Sequence, residues 1–156
     1  MIEQPQESAG FLLWHLTLRW QREIVAALKP FGLTHVQFVL LASTWWLNTH
    51  GQQPTQAALA AHAGTDVKMT SQVIRTLEKR GLVTRDVDTA DTRARRLVVT
   101  AAGATLAPRA IEVVETVDRA LLTPLSPAQA QQFTNGLRKL RHAGVAASSR
   151  SAIDAR

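Results

Sequence analysis

The sequence predicts a mainly α-helical fold of six helices and one β-hairpin, and three observations support it. Apolar residues recur with the 3.6-residue period of a helix along most of the chain. Two helical patterns near the middle are separated by a short break at Gly64, which is typical of a helix-turn-helix. Two short β patterns follow at once, and arginine is concentrated where the second begins. The combination indicates a winged helix-turn-helix whose wing is the hairpin.

Length and composition limit the possible functions. The chain has 156 residues and a mass of 17.1 kDa, which fits one domain. Its net charge of +6 favours an anionic partner, with nucleic acid ahead of a membrane surface. Cysteine is absent, so disulfides and thiolate metal sites are excluded. The apolar runs are far shorter than the roughly 20 residues that span a bilayer, so we expect a cytoplasmic protein without a membrane partner.

The first two helices are predicted over residues 10–29 and 34–47. The first is apolar on nearly every side, so we expect both its own domain and a second subunit to cover it. Thr34 and Gln37 match a capping box at the start of the second helix, which ends before Gly51.

The third and fourth helices, over residues 55–62 and 66–80, form the predicted helix-turn-helix. Thr55 is the expected N-cap of the third helix, and Thr65 or Asp66 that of the fourth. Gly81 is a natural residue to end the fourth helix. The expected buried face of the fourth helix consists of Thr70, Val73, Ile74 and Leu77.

The wing and two further helices follow. The strands are predicted over residues 82–85 and 95–100. A fifth helix should start near Thr100, but Pro108 predicts either a kink or a late start. Ser126, Pro127 and Gln129 give the sixth helix a clear N-terminal signature. The first, fifth and sixth helices carry more apolar surface than one subunit can cover, so we expect residues 10–30 and 104–145 to form the dimerisation helices of a homodimer.

The solvent face of the fourth helix carries the residue types that recognise DNA. Glutamine can pair with adenine, and arginine with guanine. The candidate DNA contacts in the helix-turn-helix are Thr55, Lys68, Met69, Ser71, Gln72 and Arg75. The alternative is an ordinary solvated helix face.

The wing adds three candidate DNA contacts. Arg93 is the best placed for insertion into the minor groove, where a narrow groove concentrates negative potential. Arg95 and Arg96 begin the returning strand, and strand alternation turns one of them toward DNA and the other away. Asp88 and Asp91 would repel phosphate, so we expect them to fix the loop and orient the arginines. The alternative role of the arginines is solubility.

Several short motifs, taken in order, carry a resemblance to a known family. They are Gly32-Leu33-Thr34 with Gln37, Thr55-x3-Leu59-Ala60, residues 77–83 (LEKRGLV), Asp88-x2-Asp91-x-Arg93, Leu97-x2-Thr100-x2-Gly103 and Leu125-Ser126. Over residues 11–142 the chain resembles the MarR family, the multiple antibiotic resistance regulators. Ala58 departs from the pattern, since the family often has glutamate there. The resemblance implies one MarR-type domain over residues 1–156, with a DNA-binding lobe at 33–103. The alanine, serine and arginine composition of residues 146–156 predicts a flexible tail.

The resemblance also implies a small effector. In this family, anionic aromatic compounds bind between the first two helices and the DNA-binding lobe. The chain has four tryptophans and no tyrosine, and two tryptophans lie on each of these helices. Aromatic walls with a cation would suit a phenolic acid. The candidate pocket residues are Trp14, His15, Arg19, His35 and Trp46. The alternative is that the tryptophans only pack in the core and the dimer seam.

Motifs for catalysis and metal binding are missing from the sequence. The five histidines form no i,i+4 pair, and neither a GxSxG motif nor a glycine-rich phosphate loop occurs. We therefore expect no metal, no cofactor and no enzymatic activity. The sequence predicts a ligand-responsive transcriptional regulator, a repressor that binds a palindromic operator in double-stranded DNA as a homodimer. The alternatives are a winged-helix protein-interaction module and a non-specific DNA-compacting protein.

Overall fold

The computed structural model describes the backbone of residues 5–154 and the side chains of residues 6–144. The chain forms two compact units, which are described separately: Met1–Asp118 and Arg119–Arg156. The elements are α1 (Ala9–Leu28), α2 (His35–Thr49), α3 (Gln56–Ala63), α4 (Val67–Lys79), β1 (Val83–Val87), β2 (Arg95–Val99), α5 (Ala101–Leu122) and α6 (Pro127–Asp154). The predicted mainly helical, winged helix-turn-helix architecture is confirmed.

Local capping defines the first two helices. The Ser8 hydroxyl accepts a hydrogen bond from the Phe11 amide and starts α1. After α1 the chain makes a short 3₁₀ turn and reverses at Gly32, whose φ of 61° is the left-handed conformation that glycine adopts without strain. The capping box at the start of α2 is present, with both hydrogen bonds between Thr34 and Gln37 formed.

The helix-turn-helix forms as the sequence predicts. Thr55 caps α3, and Asp66 rather than Thr65 caps α4. Gly64 joins the two helices at a φ of 70°. On the inner face of α4, Thr70, Ile74 and Leu77 are fully buried, while Val73 is half-buried against the core.

The wing is an antiparallel hairpin that pairs Val83 with Val99 and Val87 with Arg95. β1 therefore extends two residues beyond its predicted end. α5 begins at Ala101, which confirms the predicted start near Thr100. The alternative of a late start is wrong, because the helix contains Pro108. The Thr100 hydroxyl accepts a hydrogen bond from the Gly103 amide, which stabilises the first turn ahead of the proline.

One apolar cluster joins the helices and the hairpin of the first unit. Its fully buried members include Ile24 and Leu28 of α1, Leu40 and Leu41 of α2, Leu59 of α3, Ile74 and Leu77 of α4, and Leu97 of β2. A shared core of this kind fixes α4 and the wing to the same scaffold.

The second unit contains the end of α5 and the long helix α6. The predicted capping box of α6 is present, with Ser126 and Gln129 exchanging hydrogen bonds. Helical backbone continues to Asp154, through most of the segment for which we expected a flexible tail. Alanine is frequent there and has the highest helix propensity. Side chains beyond residue 144 lie outside the described residues, and so do residues 155–156.

Within the described residues, no single helix is long and apolar enough to cross a membrane. The first two helices meet those criteria only as a pair, across a bend of 70°.

Candidate nucleic-acid interface

The outer face of α4 is polar, exposed and basic. Lys68, Gln72 and Arg75 are exposed, Met69 is 42% exposed, and Ser71 is half-buried. The Asp66 carboxylate caps this helix by accepting a hydrogen bond of 2.9 Å from the Met69 amide. The face can therefore present a cation and an amide to a groove while the opposite side of α4 stays in the core.

Arg80 ties the end of α4 to the corner between α1 and α2. Its guanidinium donates to the carbonyl oxygens of Gly32 and Phe31, at 2.8 and 3.1 Å. This role of Arg80 was not predicted, since nothing in the neighbouring sequence identifies a partner nearly fifty residues earlier.

An ion pair joins α4 to the wing. Arg85 of β1 lies 3.1 Å from the Glu78 carboxylate of α4, measured from its Nε atom, and both side chains are about seven-tenths buried. Neither residue of this pair carries a local sequence signal for the other, and the pair was not predicted.

The loop of the wing is organised by its two aspartates. Asp88 accepts hydrogen bonds from the amides of Ala90 and Asp91, at 2.8 and 3.3 Å. Asp91 accepts one from the Arg93 amide at 3.0 Å. The backbone amides and the neighbouring Arg96 guanidinium hold the pKa of Asp88 below its ordinary value. These contacts join both aspartates to the backbone of the wing loop.

The three wing arginines differ in their surroundings. Arg96 donates to the Asp88 carboxylate and, at 3.3 Å, to the Gln53 carbonyl, so its guanidinium is engaged inside the subunit. Arg93 and Arg95 are exposed. Arg95 and Arg96, which alternate along β2, therefore differ: Arg96 turns inward to Asp88, and Arg95 is exposed.

Thr55 is the N-cap residue of α3. Its hydroxyl oxygen accepts a hydrogen bond of 3.2 Å from the Ala58 amide, and the side chain is half-buried. A hydroxyl that accepts a hydrogen bond in this way can also donate one.

The five candidate pocket residues do not come together within one subunit. His35 packs edge-on against Trp20 at 5.1 Å between ring centroids, whereas Trp46 stacks on His50 at 4.1 Å and on His62 at 5.9 Å. His35 and Trp46 lie at opposite ends of α2, about 16 Å apart along its axis. Trp14 is 61% exposed. His15 contacts Phe11, and Arg19 forms an ion pair with Glu23.

A small polar cluster links α1, α2 and α5 beside His35. The Trp20 indole donates a hydrogen bond of 2.8 Å to the Asp118 carboxylate. Burial lowers the pKa of His35, and the negative charge of Asp118 opposes that shift in part. Asp118 was not predicted, although a half-buried indole N–H generally requires an acceptor. No cluster of three or more potential metal ligands occurs among the described residues.

Comparison with known proteins gives a family match and several relatives. The model of the MarR family matches residues 33–94. The HTH-type transcriptional regulator YdcH of Bacillus subtilis is 40% identical over 87% of this chain and 91% of its own length. The HTH-type transcriptional repressor Rv2887 of Mycobacterium tuberculosis is 35% identical over 84% of this chain and 91% of its own length. Neither is named as an enzyme.

Solved structures extend the comparison. The Mycobacterium tuberculosis MarR family protein Rv2887 in complex with salicylic acid matches with a TM-score of 0.66 and 33% identity, covering 85% of this chain and 96% of that one. Its complex with DNA matches with a TM-score of 0.67 and 32% identity, covering 85% and 97%. BpsR of Bordetella bronchiseptica has a TM-score of 0.80 at 23% identity, covering 90% and 98%, which is a likeness of fold alone.

Proposed function

We propose a function from one premise: the chain belongs to the MarR family of transcriptional regulators. The family match and the relatives establish that membership. In our proposal it is a repressor that binds a palindromic operator as a homodimer. A small aromatic anion releases it from DNA. Such a protein acts in the cytoplasm, where its DNA is.

The exposed face of α4 beside the wing is the observation that carries this proposal. Gln72 and Arg75 are exposed and can read base edges, whereas Lys68 suits a phosphate. The relative solved with DNA supports a duplex as the partner. Neither a compacting protein nor an interaction module requires base-reading side chains next to a basic wing.

In the wing, Arg93 and Arg95 are the proposed DNA contacts. Both are exposed, and the Asp91 carboxylate fixes the Arg93 backbone. Arg96 has a different proposed role, since Asp88 and Gln53 already occupy its guanidinium. It positions the wing, and Thr55 and Ser71 supply hydroxyl groups for phosphate contacts.

The homodimer is supported by apolar side chains that the described residues leave exposed. On α1 these are Phe11, Leu12, Leu13 and Trp14, and on α6 they are Leu137 and Leu140. Exposed apolar groups in such a series mark an interaction surface. A two-fold dimer would place the two α4 helices about 34–36 Å apart, to match successive major grooves.

The relative solved with salicylic acid supports an aromatic acid as the effector. One small acid cannot contact both His35 and Trp46 of the same subunit, since they are about 16 Å apart along α2. We therefore place the site beside His35, which packs against Trp20 of α1, and Arg19, the preceding residue of α1, is its proposed cation. Trp14 and His15 are exposed earlier in α1 and stay proposed pocket residues. The ligand weakens DNA binding only if it prefers a dimer whose recognition helices are wrongly spaced.

Two measurements test this function. The operator is first selected from a random duplex pool, and its affinity is then compared with that of random duplex across a salt series. Tight, sequence-selective binding supports the regulator. Equal, salt-sensitive binding to every duplex would indicate compaction, and no binding at low salt would indicate an interaction module.

Salicylate then tests the effector. We expect it to quench tryptophan fluorescence and to raise the Kd for the operator, and we expect Arg19→Ala to weaken both effects together because binding and release are linked. Quenching that leaves operator affinity unchanged at saturation would show a pocket without a switch.

A further inference from the structure

At the outer edge of the wing, the backbone groups of β2 that a third strand would pair with are paired with a side chain and a loop. Leu97 and Val99 of β2 turn their backbone groups away from β1. The Leu97 amide donates to the Pro54 carbonyl at 2.9 Å, and the Val99 amide donates to Asn48 Oδ1 at 2.8 Å. Asn48 Nδ2 in turn donates to the Leu97 carbonyl at 3.2 Å. An edge strand normally leaves such groups unpaired.

Asn48 is suited to this contact because its amide offers a donor and an acceptor, as a peptide group does. The side chain is half-buried in the last turns of α2. Its second N–H bond reaches the Gln52 carbonyl at 2.9 Å, and the Gln52 amide donates to the Leu47 carbonyl at 2.9 Å. The amide is therefore held in one orientation by partners on both sides.

We propose that Asn48 is a positioning residue for DNA binding, which fixes the wing to α2 and thereby sets where Arg93 meets the duplex. The inference rests on the proposed function. Two neighbouring contacts serve the same edge: the bond from Leu97 to Pro54, and that from Arg96 to Gln53. Asn48 differs from them because it belongs to a helix, so a displacement of α2 passes through it to the wing.

A double-mutant cycle tests the proposal. Asn48→Ala should weaken operator binding by about thirtyfold, the factor that two ordinary hydrogen bonds are worth. In an Arg93→Ala background the same substitution should cost little, because the contact that it positions is already gone. The control is Thr49→Ala, which removes a hydroxyl that, among the described residues, bonds to the Trp46 carbonyl and to His50. Equal losses from Asn48→Ala in both backgrounds would overturn the proposal.

Asn48→Asp separates the hydrogen bonds from packing. It keeps the shape of the side chain and its acceptor, but it has no donor for the carbonyl oxygens of Leu97 and Gln52. We expect it to weaken operator binding at least as much as alanine does. Wild-type binding by this variant would show that Asn48 acts by filling space, which contradicts the proposal.

Amide hydrogen exchange measures the wing without DNA. Asn48→Ala should accelerate exchange at Leu97 and Val99 and leave the amides of α4 unchanged. Unchanged exchange at both wing amides overturns the inference even if the operator is bound. If the wild-type protein binds no duplex, the proposed function fails, and exchange still decides whether Asn48 holds the wing.

Discussion

Replacement of Gly103 by alanine should destabilise the protein although the residue lies in a helix. A Cβ atom at this position would lie 2.0 Å from the Leu82 carbonyl oxygen and 3.0 Å from its carbon. Carbon and carbonyl oxygen normally stay about 3.3 Å or more apart, so the backbone must move by about 1.3 Å. Because both partners are main chain, no rotamer change can relieve the contact.

The change in the free energy of unfolding combines two destabilising effects and one stabilising effect. Overpacking of this kind costs about 1–3 kcal/mol. The same carbonyl accepts the Thr100 amide at 3.1 Å, and disturbing that hydrogen bond costs about 1 kcal/mol more. Alanine returns about 1 kcal/mol through its higher helix propensity. The free energy of unfolding should therefore fall by about 1–3 kcal/mol, which lowers Tm by a few degrees up to about 10 °C.

Urea and thermal unfolding at one fixed protein concentration measure this effect, since dimerisation makes Tm depend on concentration. The matched control is Gly136→Ala in α6, where an added Cβ would meet no described atom within 4 Å outside the adjacent backbone of its own helix. That substitution should stabilise the protein by up to about 1 kcal/mol. A Gly103→Ala variant as stable as its parent would refute the reasoning, because the close approach of α5 to the wing base would then be easily relaxed.

Two further predictions concern the interface. Alanine at Gln72 or Arg75 should cost about 1–3 kcal/mol on the selected operator and barely change binding to random duplex; equal losses on both, measured by fluorescence anisotropy, would exclude base reading. Asp88 should make the free energy of unfolding depend on pH in the acid range, because its pKa is lowered in the folded state. Its stabilising contribution is complete above the ordinary carboxyl pKa of about 3.9. That contribution is lost as the pH falls through the lowered folded-state value. Asp88→Asn should make the free energy of unfolding depend less on pH in this acid range. An unchanged pH dependence would count against the prediction.

The sequence by itself determined the elements of this fold and the residues at their ends. Thr34, Thr55, Asp66 and Ser126 all cap helices within three residues of their own position. Hydrophobic periodicity separated the buried face of α4 from the face with Gln72 and Arg75. These features depend on backbone geometry within one or two turns, so their patterns are visible in a single sequence.

Tertiary structure alone decided which distant groups meet. Arg80 reaches Gly32, Trp20 reaches Asp118, and Asn48 reaches the wing, across 48, 98 and about fifty positions of the chain. Packing also placed His35 and Trp46 in separate clusters, against the single pocket that we expected, and brought α5 against Leu82 at Gly103. Such contacts depend on how helices cross and how closely they approach, which hydrophobic period and capping do not specify.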